Sequence, residues 1–83
     1  MPTLQQKLAK LLRKIRSESY PGTELANMVK LQTKIAEDID SHDPVEAMAL
    51  LGYLLKNNYV KIEEDKGIVL NKDNKDDIES LLK

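Results

Sequence analysis

Asp43-Pro44-Val45-Glu46-Ala47-Met48-Ala49-Leu50-Leu51-Gly52-Tyr53-Leu54-Leu55, running on through Lys56-Asn57-Asn58 to Tyr59-Val60-Lys61-Ile62-Glu63, is the stretch whose reading decides the fold. It opens as a helix start on three counts. Asp43 can accept from the orphan N–H groups of a first turn, Pro44 suits the first helical position, and Glu46 can reach back to the cap. The residues that follow are apolar on nearly every face, which predicts a helix that the others pack around. Lys56-Asn57-Asn58 ends it. From Tyr59 to Glu63 apolar and polar residues alternate, predicting a strand with Val60 and Ile62 facing the core. Glu64-Asp65-Lys66-Gly67 reads as a tight turn in which Gly67 takes a positive φ. Ile68-Val69-Leu70 is the return strand, with Ile68 and Leu70 inward and Val69 outward on an edge.

Towards the N-terminus, Thr3-Leu4-Gln5-Gln6 has capping-box form and predicts a helix to about Arg16. Leu4, Leu8, Leu11, Leu12 and Ile15 recur on one side, while Lys7, Lys10, Arg13, Lys14 and Arg16 fill the rest with no acid among them. Tyr20-Pro21-Gly22 is a turn, and Thr23 is a candidate cap for a second helix carrying Leu25, Met28, Val29, Ile35, Ala36 and Ile39. Gln32-Thr33 interrupts that apolar face, so one helix and two shorter ones capped at Thr33 both remain open; Leu31 lies off the stripe. Beyond the hairpin, Asn74 is a candidate cap for a last short helix docked by Ile78, Leu81 and Leu82, with Asp76, Asp77 and Glu79 favouring its start. The expectation is a mainly α fold with a small β-hairpin (α+β), winged-helix-like: three helices, a two-stranded wing and a short C-terminal helix, in one domain over residues 1–83. A small α+β bundle capped by the hairpin is the runner-up.

Composition narrows the chemistry. Eighty-three residues make one small core with little stability to spare and no room for a deep enzyme cleft. There is no Cys, which excludes disulfide scaffolds, thiolate zinc sites and cysteine nucleophiles. No apolar run approaches the roughly 20 residues of a membrane span. The N-terminal Leu residues are interleaved with Lys and Gln, unlike a secretory signal, and a cytoplasmic domain is expected. The net charge of −1 hides a polarity: residues 1–36 carry seven Lys/Arg against two Glu, and residues 37–83 carry six Lys against twelve Asp/Glu.

Two pieces resemble the DEP domain, a winged-helix module of signalling proteins. Tyr20-Pro21-Gly22-Thr23-Glu24-Leu25 resembles that family's aromatic-x-Gly-Ser-Glu-Leu opening of its second helix. Glu46-Ala47, then Leu51-Gly52, Leu54-Leu55 and Val60, resemble its third helix and the entry to its hairpin. The family's Trp three residues after the acid of the opening motif is replaced here by the Asn27-Met28 region. The connector to the third helix is longer, and there is little room for the family's arm between the first two helices. The resemblance implies a non-catalytic module that docks on receptors, regulatory proteins or anionic membrane surfaces.

No constellation for catalysis emerges. Ser41-His42-Asp43 is a triad only on paper, because triad members converge from separate segments. His42 with Asp38 and Asp40 is too sparse a ligand set for a structural or catalytic metal, and Asp73 to Asp77 lacks the Gly and terminal Glu of a calcium loop. Gly22, Gly52 and Gly67 stand alone, so no phosphate loop exists. Neither a cofactor nor a metal is expected, nor an enzyme. A DNA-reading third helix is disfavoured, since its exposed stripe offers Glu46, Tyr53, Lys56 and Asn57 with Asp40 and Asp43 flanking its start, and the hairpin tip Glu63-Glu64-Asp65-Lys66 is acidic on balance.

Two sets of residues are therefore candidates for partner contact: the basic helix, through Lys7, Lys10, Arg13, Lys14 and Arg16, and the hairpin with the third helix, through Tyr53, Lys56, Lys61 and Val69. The leading expectation is a regulatory protein–protein interaction module, self-association into a homodimer included, with Val45 and Leu31 as further exposed apolar residues. The alternative is a small DNA-binding winged-helix regulator that touches nucleic acid through helix 1, and a third is binding of that helix to an anionic membrane surface.

Overall fold

The computed structural model describes residues 3–22 and 26–82; Thr23 and Leu25, part of the second helix as read from sequence, lie outside them. The chain runs α1 (Leu4–Ser17), α2 (Met28–Asp38), α3 (Pro44–Lys56), β1 (Val60–Glu63), β2 (Gly67–Leu70), a 3-10 turn (Lys72–Asn74) and α4 (Lys75–Leu82). It is mostly helical with a two-stranded antiparallel hairpin, as the apolar periodicities require.

The helix starts follow local chemistry. At α1 the Thr3 hydroxyl accepts from Gln6 N–H and the Gln6 side chain accepts from Thr3 N–H, both halves of the capping box. Asn27 caps α2, whose course is continuous; the Thr33 hydroxyl donates to Val29 C=O and caps nothing. Asp43 caps α3 through Val45 N–H at 2.9 Å. Glu46 does not reach back to that cap, because its carboxylate is taken by Lys7 and Ser41.

Both α2 and α3 end in the same way. Asp40 and Asn58 adopt left-handed conformations, at φ 57° and 62°. Ser41 N–H donates to Ala36 C=O and Tyr59 N–H to Leu54 C=O, each closing a Schellman motif. Asn71 and Asn74 add a distant cap: their side-chain amides donate to the carbonyls of Asn57 and Asn58, fastening the C-terminal segment to the end of α3. Asn74 thus sits inside the 3-10 turn and does not cap α4; Asn71 caps that turn through Asp73 N–H.

The core gathers around two helices: α1, which packs against α2, α3, α4 and β2, and α3, which packs against α1, α2 and β1. Leu11, Leu12, Ile35, Ile39, Leu54 and Ile68 are fully buried. In α3, Ala47, Leu50, Leu51 and Leu54 face inward, but Val45, Ala49 and Tyr53 recur every fourth residue on an exposed face. Apolar character all round does not mean burial all round: α1, α2 and β1 cover one side of α3 and leave Val45 and Tyr53 outside. Leu31 is a core residue at 1% exposure, whereas Met28 and Val29 of the expected stripe are exposed. Met28 and Val29 lie in the exposed first turn of α2, and the inward row is Leu31, Ile35, Ala36 and Ile39.

β1 and β2 pair Val60 with Leu70 and Ile62 with Ile68, so all four share one face. Val60 and Ile68 are buried, but Ile62 is 55% exposed, because the outer edge of the hairpin overhangs the core. β2 is not an open edge strand at its start. Ile68 N–H donates to Tyr20 C=O at 2.9 Å, adding a one-residue bridge on the far side from β1. Gly67 takes φ +85°, as the turn requires, and a Cβ there would also overlap the Tyr20 carbonyl oxygen and approach Pro21 and Gly22 backbone at 2.7 and 2.8 Å. Tyr20 itself is buried, and its hydroxyl donates to Asp38 Oδ2 at 2.7 Å.

Candidate functional surfaces

The basic residues of α1 are largely answered within the fold. Lys7 donates to Glu46 at 2.5 Å, Lys14 to Glu18 at 2.7 Å, and Lys10 is paired with Asp40. Arg13 donates to the Leu82 backbone carbonyl at 3.1 Å. Two of these pairs join the basic segment, residues 1–36, to the acidic remainder, so the charge polarity of the sequence is partly cancelled in space. The Lys10–Asp40 pair is exposed and contributes little stability, whereas the Lys7–Glu46 pair is part-buried. The Lys7 ammonium and the Ser41 hydroxyl hold the Glu46 carboxyl below the usual glutamate range, and Lys14 does the same for Glu18. Arg16 forms no ion pair among the described residues.

The apolar stripe of α1 is equally committed: Leu8, Leu11, Leu12 and Ile15 are buried, and only Leu4 is exposed. For this helix to insert its apolar side in a lipid surface, it would have to leave the core.

Two open grooves flank α1. The first, about 650 Å³, lies between the N-terminal end of α1, α3 and the end of α4, and its walls are almost wholly apolar: Leu4, Leu8, Ala49, Leu50, Tyr53 and Leu81, with Glu46 as the charged member. Val45, 75% exposed, continues the Ala49–Tyr53 row along α3, while Leu4 on α1 is also exposed. The Tyr53 ring stacks on Tyr59 with centroids 6.3 Å apart, which fixes its direction. Burial, with Tyr53 and Asp77 nearby, pushes the Tyr59 hydroxyl pKa up, keeping that ring neutral.

The second groove, about 660 Å³, is bounded by the end of α1, the outer face of the hairpin and α4. Its floor is Ile15, Val69, Leu70, Ile78 and Leu82; its rim carries Arg16, Lys61, Lys66, Lys72 and Lys75. Val69, paired across the ladder with Lys61, does face away from the Val60–Ile68 side, but lies half-buried in this groove rather than on a bare edge.

The sequence-derived candidates therefore separate. Lys7, Lys10, Arg13 and Lys14 are engaged; Arg16 turns to the second groove. Tyr53 belongs to the first groove, Lys61 and Val69 to the second, and Lys56 is exposed at the end of α3. Lys66, Lys72 and Lys75 carried no signal in the sequence, since only the hairpin and α4 bring them opposite Arg16. His42 is exposed, Asp43 is a cap and Asp40 pairs with Lys10; among the described residues no three His, Asp or Glu side chains converge as a metal site. Among the described residues, no helix is long and apolar enough to cross a membrane. Comparison of the chain with protein-family models, curated proteins and solved structures gave no match.

Proposed function

We propose that this chain is a non-catalytic, regulatory protein-interaction module of winged-helix type, acting in the cytoplasm. The observation that carries the reading is the outward face of α3. Val45, Ala49 and Tyr53 lie exposed in a row beside Leu4 and an apolar groove. A helix that entered a DNA groove would present donors and cations there; this one presents hydrocarbon, a tyrosine ring and Glu46. Exposed apolar surface in a domain this small is best used by burying it against another protein, a second copy included.

The winged-helix part draws support from the order of elements and from the Tyr20 stretch, which joins the hairpin from between the first two helices. The non-catalytic part draws support from the acids themselves, since Asp43 is spent on a cap and Asp40 and Glu46 on lysines. The DNA-binding alternative through α1 is weaker, because a phosphate backbone would have to displace the partners of Lys7, Lys10 and Lys14.

The test is a two-dimensional NMR titration of the labelled domain, first by concentration alone and then with a random-sequence duplex at low and moderate salt. Concentration-dependent shifts at Val45, Ala49 and Tyr53, abolished by Val45→Glu, support contact through α3 and identify a second copy as one partner. Salt-sensitive shifts along Lys7 to Arg16 with duplex overturn the reading in favour of nucleic acid.

A further inference from the structure

We infer that the groove between the hairpin, the end of α1 and α4 is a second docking site, for a short acidic peptide segment of another protein that also carries apolar side chains. The inference rests on the protein-interaction reading but uses a different surface from the α3 face. Charge complementarity selects the ligand. The rim brings five cations together against Glu63 and Glu79 in a protein whose net charge is −1. Lys61 is paired with Glu63 at 3.2 Å and Lys75 with Glu79 at 4.0 Å, the latter at the limit of an ion pair. Arg16, Lys66 and Lys72 have no ion-pair partner among the described residues, and all three are exposed.

The floor decides between anionic partners. Val69, Leu70 and Leu82, each half-buried, form an accessible apolar bed backed by the buried Ile15 and Ile78. A phosphate backbone has nothing apolar to place on such a bed, and its affinity would come from the cations alone. A flat anionic bilayer meets the rim but does not follow a concave floor. A peptide alternating Asp or Glu with Leu or Ile satisfies both parts at once, its carboxylates reaching Arg16, Lys66 and Lys72 while its apolar residues cover Val69 and Leu82. Arg16 is the geometric key, because the guanidinium takes a carboxylate in bidentate fashion.

The experiment uses the full chain, labelled for NMR, and three fluorescent twelve-residue peptides: one alternating Glu and Leu, one with Gln in place of every Glu, and one of Glu and Ser only. The expected result is saturable binding of the first peptide, with shifts at Arg16, Lys61, Val69 and Lys72. Binding should be roughly tenfold weaker for each of the other two peptides, and weaker by a similar factor for an Arg16→Glu/Lys72→Glu variant. Because the decisive changes are also made in the peptide, the outcome does not depend on the variant folding. Val45→Glu should leave this binding unchanged, which separates failure of the α3 reading from failure of this one. No binding of the Glu–Leu peptide at low salt overturns the proposal, as does equal binding of the Gln–Leu or Glu–Ser peptide. Tighter binding of a duplex or of phosphatidylserine vesicles to the same residues reassigns the groove and overturns it too. The same shifts on raising protein concentration without peptide would make the occupant a second copy and equally sink the peptide assignment.

Discussion

Replacing Gly67 by Ala should be among the most damaging single changes available to this protein. Gly67 holds φ +85°, where an L-residue is disfavoured by about 1–2 kcal/mol. The larger effect is spatial. The new methyl would overlap the Tyr20 carbonyl oxygen, with Pro21 and Gly22 backbone atoms at 2.7 and 2.8 Å, and backbone cannot swing aside as a side chain can. The Tyr20–Gly22 connector must then withdraw, breaking the bond from Ile68 N–H to Tyr20 C=O. Ile68 is fully buried, so leaving its N–H unpaired costs about 1–3 kcal/mol. The two effects together come to about 2–5 kcal/mol, against a total stability of about 4–12 kcal/mol expected for a chain of this length. Thermal unfolding followed by circular dichroism should show the midpoint lowered by on the order of 10–40 °C, or no cooperative transition at all, with the urea midpoint falling in parallel. Gly52→Ala is the matched control: nothing lies within 4 Å of a Cβ there, and the position is helical, so a gain of about 0.5–1 kcal/mol is expected. If Gly67→Ala cost less than about 1 kcal/mol, the connector would not be pressed against the turn and the reasoning would fail.

Three further outcomes follow from the same structure. Leu31→Ala should cost about 2–5 kcal/mol while Ile62→Ala changes stability by no more than about 0.5 kcal/mol, measured by urea midpoints; the reverse ranking would contradict the burial of these two residues. Glu46 is held ionised by Lys7 and Ser41, so its folded-state pKa lies below its unfolded one. Its contribution is therefore present above the ordinary glutamate range and lost as pH falls through the folded value. The melting-temperature gap between wild type and Glu46→Gln should be present at neutral pH and close as pH falls through and below the ordinary glutamate range; a gap that stays constant would deny Glu46 this role. Asn58→Gly should stabilise the domain by a few tenths to about 1 kcal/mol by relieving the left-handed conformation at the end of α3, and Asn58→Ala should destabilise it, as differential scanning calorimetry can read.

Much of the fold was written locally. The Thr3 capping box, the Asp43-Pro44 start, the Lys56-Asn57-Asn58 stop and the glycine turn at Gly67 each act within a few residues, so the sequence by itself determined four of the helix and turn boundaries. Period-two and period-3.6 spacing likewise sorted most core residues. What spacing cannot report is which side of an apolar element the rest of the chain will cover. α3 is apolar all round, and only packing against α1 and α2 decided that Leu50 and Leu54 go inside while Val45 and Tyr53 stay out. Ile62 alternates correctly and remains exposed, because exposure depends on what stands opposite the strand.

The candidate surfaces divide along the same line. That the chain carries a basic segment and an acidic one is plain from composition, but charge in a sequence has no direction. Folding brought Asp40 to Lys10 and Glu46 to Lys7, thirty or more positions apart, and spent the cations that looked most available. It also set Arg16 across a groove from Lys72 and Lys75, residues more than fifty positions away. Local hydrogen bonds and steric preferences fixed the pieces. Long-range burial of apolar area decided which charges were left facing outward together.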